Sequence, residues 1–176
     1  MKKVIIIALA ALLSQVSLAQ DRFDQFEDMR EVRAFVMNQK MFKLLGKVDL
    51  DSSDPEMQAY INLVENMENI KIFETKDAGV GAKMQSEMSS YITSSKLEEL
   101  MRAKDDGKNV KFYYKPGKNE DFVREFVMFM TGDIEGANRT VIFKLTGDID
   151  LKQISKLAKD LDFAGSKELE NVKKTK

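Results

Sequence analysis

The spacing of apolar positions along this chain changes period several times, and each change marks an element. Residues 4–13 form an unbroken apolar run behind Lys2 and Lys3. Phe23, Phe26 and Met29 then recur at every third position, which predicts a short amphipathic lead-in helix over 21–29. Over 31–37 the period falls to two. Val32, Ala34 and Val36 take one face of a first strand, and Arg33, Phe35 and Met37 take the other. Residues 39–45 read as a short helix stopped by Gly46. The polar stretch 49–54 leads into a stronger helix start, where Ser53 and Glu56 have capping-box spacing and Pro55 suits a first turn. Met57, Tyr60, Ile61, Val64 and Met67 line one face of that helix, to about residue 68. A second strand over 69–75 sets Ile70 and Ile72 opposite Lys71 and Phe73. After Gly79 and Gly81 comes a long helical stretch, with a first stripe of Met84, Met88, Tyr91 and Ile92 and a second of Leu97, Leu100 and Met101. The stripes are out of phase across Thr93-Ser94-Ser95, which predicts a bend there.

Asp105-Asp106-Gly107 is a turn signal, and three strands follow it closely. Residues 110–115 alternate cleanly up to Pro116-Gly117. Residues 122–131 are apolar on both faces, the mark of a central strand. Residues 139–146 set Val141, Phe143 and Leu145 against Thr140, Ile142 and Lys144. A last helix should start from Asp148 or Asp150 and bury Leu151, Ile154, Leu157, Ala158 and Leu161. The order β-α-α-β-α-β-β-β-α predicts an α+β two-layer sandwich, with a mostly antiparallel five-stranded sheet and helices packed mainly on one face. Nothing between 20 and 176 reads as a linker, so one domain is expected, with an ordered core over about 30–163 and a charged tail over 166–176.

The first nineteen residues stand apart from that domain. A positive start, an apolar run and small residues at Ser17 and Ala19 make a signal peptide, cut between Ala19 and Gln20. The apolar run is shorter than the about 20 residues needed to span a bilayer. No Cys is available for lipid attachment. The expectation is an exported, periplasmic or secreted protein that is not a lipoprotein and keeps no stable membrane anchor after cleavage.

Composition narrows the chemistry. The 176 residues contain no His and no Cys, which removes His-based acid/base schemes, thiol nucleophiles, disulfides and Cys/His zinc sites. A net charge of −1 lacks the basic excess of a nucleic-acid binder. The 11 Met include pairs that suit Cu(I), but they fall on stripes already committed to the core. Asp49, Asp51 and Asp54 suggest a calcium loop, yet the positions where an EF-hand needs Gly and Glu hold Asp54 and Tyr60. No Ser is followed three residues later by Lys. The pentapeptide Thr131-Gly132-Asp133-Ile134-Glu135 returns as Thr146-Gly147-Asp148-Ile149-Asp150. It reads as two strand exits whose acids cap a hairpin and a helix, at opposite ends of the sheet if the strands are antiparallel neighbours. No cofactor, metal or catalytic constellation is expected, and an enzyme is not the leading reading.

If the helices gather on one side, the other side of the sheet presents Phe35, Phe73, Tyr113 and Ile142 among Arg33, Lys71, Lys111, Lys115 and Lys144. An apolar strip set among cations predicts a surface for an envelope protein partner or for self-association, unless a helix or the N-terminal segment covers it. The leading expectation is a non-enzymatic periplasmic binding or interaction module whose face is Phe35, Phe73, Lys111, Tyr113, Ile142 and Lys144. The alternatives are a carboxylate-based hydrolase of an envelope polymer and a homodimer of stacked sheets.

The strands and turns also resemble a known family. Leu97-Glu98-Glu99-Leu100-Met101, the Asp106-Gly107 turn, Val110-Lys111-Phe112-Tyr113-Tyr114-Lys115, Glu125-Phe126-Val127-Met128-Phe129 and Leu145-Thr146-Gly147-Asp148-Ile149-Asp150 are similar to the exported Bacteroidetes-type family called domain of unknown function 4252. The resemblance spans most of 30–163. It implies a small envelope protein with no assigned catalytic residues, and a neighbourhood of sigma-factor and anti-sigma regulators that points to envelope sensing. Some members look like lipoproteins; without Cys, that anchoring does not carry over.

Overall fold

A computed structural model describes residues 21–45, 55–105, 107–134 and 136–150. The signal segment with Ala19 and Gln20, the acidic loop at 49–54, the expected last helix and the charged tail all lie outside the described residues. A 3-10 turn at Asp24–Phe26 opens the fold. There follow β1 (Val32–Asn38), α1 (Gln39–Leu45), α2 (Pro55–Asn66), β2 (Met67–Thr75), α3 (Ala78–Ser95), β3 (Glu98–Asp105), β4 (Lys108–Pro116), β5 (Phe122–Ile134) and β6 (Ala137–Asp150). The class is α+β, and the sheet is open and antiparallel, in the order β1-β2-β6-β5-β4-β3.

Among the described residues the sheet has six strands, not five. The sixth is β3, which occupies the second half of the stretch expected to be one bent helix. The phase shift at Thr93-Ser94-Ser95 marks a helix end. Lys96 takes the left-handed conformation (φ 53°, ψ 48°), and the N–H of Leu97 reaches back to the Ile92 carbonyl at 3.0 Å. The chain then leaves extended. An irregularity between Glu99 and Met101 breaks the alternation of β3, so the strand carries no clean period of two. Lys96 is exposed, and a left-handed non-glycine residue costs roughly 1–2 kcal/mol. Lys96→Gly is therefore expected to stabilise the protein by about 1 kcal/mol, read as a raised urea midpoint.

Cover lies on both sides of the sheet, which corrects the one-sided arrangement. On one face Ile70, Ile72, Phe112, Phe126, Met128, Phe143 and Leu145 pack with Phe42 of α1 and Leu63 and Val64 of α2. On the other, Phe73, Val127 and Ile142 lie with Phe23 and Phe26 of the N-terminal segment and with Met84 and Met88 of α3.

The repeated pentapeptides lie at strand ends: residues 131–134 close β5 and residues 146–150 close β6, at opposite ends of their pairing, while Gly136 (φ +77°) takes the hairpin turn. Gly132 and Gly147 have φ of +119° and +149°, and the space beside each Cα is filled by a neighbouring backbone. Close approach explains both repeats better than a ligand does.

Candidate functional site

Five of the six residues assigned to the interaction face do share one face of the sheet. Phe73 pairs with Ile142, Ile142 with Phe129 and Phe129 with Lys111; in the next row Lys144 pairs with Val127 and Val127 with Tyr113. That face is covered rather than open. Phe73 and Ile142 are fully buried, Tyr113 and Lys144 are nearly so, and Lys111 is half-buried. Phe35 sits on the opposite face, because β1 aligns it with Ile72 and not with Phe73. Alternation says which residues of one strand share a face, whereas the pairing register decides which faces join.

The cover is held by charge as well as by Phe23 and Phe26. Lys71 and Lys144 are direct cross-strand partners on β2 and β6, a like-charge pair that is unfavourable unless anions surround it. The N-terminal segment supplies them. Asp24 accepts a hydrogen bond from Lys71, Glu27 lies 3.4 Å from the same ammonium, and Asp21 lies 3.6 Å from Lys71 and 2.8 Å from Lys144. On the same side, Tyr91 of α3 accepts from Lys144 at 2.6 Å and donates to Glu125 at 2.7 Å. The Lys144 ammonium also sits 4.4 Å from the centre of the Tyr91 ring.

Burial disfavours the Asp21 carboxylate, but the charge and hydrogen bond of Lys144 outweigh it and hold the group below its ordinary range. For Lys71, burial is likewise outweighed, by the Asp24 hydrogen bond and by the charges of Asp21, Asp24 and Glu27, and its pKa is raised. Burial, followed by the charge and hydrogen bond of Glu125, pushes the Tyr91 phenol far up. Asp21 is thus held as a carboxylate, Lys71 as an ammonium and Tyr91 as a neutral phenol. Among the described residues no group of acids is arranged to hold a metal ion. Its physical effect is to fasten the N-terminal segment to the sheet. Asp21, Asp24 and Glu27 fall at three-residue spacing beside Phe23 and Phe26, so an acidic stripe next to the aromatic one was the signal that reading the apolar positions alone passed over.

The open surface lies at the β1 edge. Phe35, Val36, Met41 and Leu44 are 41%, 42%, 45% and 61% exposed, so among the described residues four of the five large exposed hydrophobics fall within ten residues. Phe35 lies on the face that α1 covers, since Phe42 of α1 packs with Ile70 and Ile72. The fifth, Leu100, stands alone on β3, the other outer strand. The two edges differ in kind. β3 carries Glu98, Glu99, Arg102, Lys104 and Asp105 and an irregular register, which are the usual guards against strand addition. β1 carries one charge, Arg33, and pairs with β2 without a break over all seven residues. Beside β1, an open groove is lined by Arg30, Arg33, Lys76 and Arg139 interleaved with Glu31, Glu74 and Asp77, and Arg139 and Glu74 meet at 2.6 Å within it. Those charges largely answer one another.

A family model described as domain of unknown function (DUF4252) matches residues 26–157. No curated protein and no solved structure matches the chain.

Proposed function

The chain belongs to the DUF4252 family of unknown function, and from that premise we propose that it is a non-enzymatic interaction module of the cell envelope that receives an extended segment along β1. The observation that carries this reading is the contrast between its two edges. Among the described residues, a seven-residue strand with one charge and no bulge leaves a row of unpaired backbone groups, the template on which strand addition builds. The exposed Phe35, Val36, Met41 and Leu44 add apolar area beside that row.

The acid cluster weighs against the hydrolase alternative. A general acid needs a raised pKa, whereas Asp21 is held ionised by Lys144. The cover of Phe23, Phe26 and α3 over Phe73 and Ile142 weighs against dimerisation by stacking that face. Export to the periplasm and a part in envelope sensing belong to this proposal and rest on the signal-like first nineteen residues and on the family.

Site-specific photocrosslinking in the native envelope tests the edge. A photoreactive residue in place of Val36 is expected to form an adduct, while the same residue in place of Lys104 on β3 forms none. Adducts from Lys104 alone, or none from Val36, would overturn the reading.

A further inference from the structure

Resting on the edge-docking reading, we infer that the segment received at β1 is β1 of a second copy, paired antiparallel about a two-fold axis at Phe35. Phe35 is the middle residue of the seven-residue strand, so this register uses every residue of both copies. It sets Phe35 against Phe35, Ala34 against Val36, Arg33 against Met37 and Val32 against Asn38. No like charges meet, because the single charge of the strand lies off the axis and faces a thioether. Shifting the axis by one residue in either direction drives an end of the strand against residues outside it. The strand is therefore complementary to itself in charge and length, as an interface between identical copies requires.

The faces agree as well. Directly opposed residues in an antiparallel pair point to the same side, so both Phe35 side chains emerge on the face that carries α1. An aromatic cross-strand pair there is favourable. The exposed Met41 and Leu44 of each copy lie on the helix beside it, and a two-fold axis places one such helix on either side of the Phe35 pair. The β3 edge offers no comparable match, since its five charges and irregular register resist pairing.

The chain has no Cys, so single-cysteine variants report on one position at a time. Opposed residues lie about 4.5–5.5 Å apart at Cα, within disulfide reach. Under mild oxidation of the folded protein, Phe35→Cys is expected to form a covalent dimer. Arg33→Cys and Met37→Cys should crosslink when mixed but not when oxidised separately, and Leu100→Cys on β3 should stay monomeric. Val36→Lys, an exposed substitution, should weaken self-association at least tenfold in light scattering while leaving unchanged the circular dichroism spectrum and the urea midpoint measured at a concentration where both proteins are monomeric.

Crosslinking through Ala34→Cys or Val36→Cys in place of Phe35→Cys would overturn the register. A unmodified chain that is monomeric at tens of micromolar, with no disulfide from any β1 position, would overturn the second copy as occupant. The edge reading itself would then stand or fall on the Val36 photoadduct, whose mass separates a copy of this chain from another protein.

Discussion

Gly132→Ala is expected to lower the unfolding free energy by roughly 3–5 kcal/mol, one of the largest losses available from adding a single methyl group to this protein. Two costs combine. At φ +119° an L side chain is strained, and a Cβ would lie 2.0 Å from the carbonyl oxygen of Gly107. The obstacle is backbone in the β3–β4 turn, so no rotamer change relieves it. Gly147→Ala is expected to behave alike, since its Cβ would meet the Asn66 carbonyl oxygen at 2.4 Å where α2 passes into β2. Gly136→Ala supplies the control: φ is +77°, but nothing lies within 4 Å, so only the conformational cost of about 1–2 kcal/mol remains. Urea midpoints of the three variants separate collision from strain. Three equal losses would remove the close-approach account of the repeated pentapeptide. These glycines let β5 pass against the β3–β4 turn and β6 against the junction of α2 and β2.

How far the sequence could be read follows from which features are local. The alternation of 110–115 and of 139–146 gave two strands because each strand reports its own two faces. Helix α3 was recognisable from Met84 and Met88, but its end was not, because Lys96 occupies a position where glycine is the usual signal. The irregularity at Glu99–Met101 then hid the period of β3, and its Leu and Met residues matched a helical stripe instead. Phe35 lies on the face opposite to the one that alternation suggests, because no single strand contains the register between β1 and β2. The edge posed the same difficulty. The low charge of residues 32–38 is visible in the sequence, but its meaning depends on β1 lying outermost, and strand order is a property of the whole sheet. In the sequence Lys71 and Lys144 read as cations set among the apolar residues of an interaction face. That they stand side by side, and need the acids of a segment some 50 and 120 residues away, only the pairing of β2 with β6 reveals.

Lys144→Ala should cost about 3–5 kcal/mol at pH 7, against less than about 1 kcal/mol for Lys118→Ala, although both lysines make ion pairs of similar length. Lys118 meets Asp148 at 2.6 Å with both side chains well exposed, so water replaces the lost partner. Lys144 meets Asp21 at 2.8 Å and Tyr91 at 2.6 Å under the N-terminal segment, with Glu125 at 3.9 Å. Its removal leaves Asp21 and Glu125 largely shielded from water and short of a cation. The pH dependence identifies the acid concerned. The folded-state pKa of Asp21 lies below its ordinary value, so between the two the unfolded chain binds more protons and stability rises with pH. This contribution is complete above about pH 5 and is lost as pH falls through the folded pKa. Without Lys144 the burial penalty on Asp21 is no longer outweighed by its strongest partner, so the carboxyl readily takes up a proton and the acid-side slope flattens. The gap in stability between the two proteins, measured by urea titration, should therefore hold from pH 7 to about pH 5 and narrow below it. At the other limit, Lys71 and Tyr91 both have raised pKa values, and the unfolded chain loses their protons first. The unmodified protein should thus lose stability from about pH 10 upward. A gap that stays constant on acidification would mean that Asp21 is not the acid Lys144 serves, and that Phe23 and Phe26 alone hold the segment over the sheet.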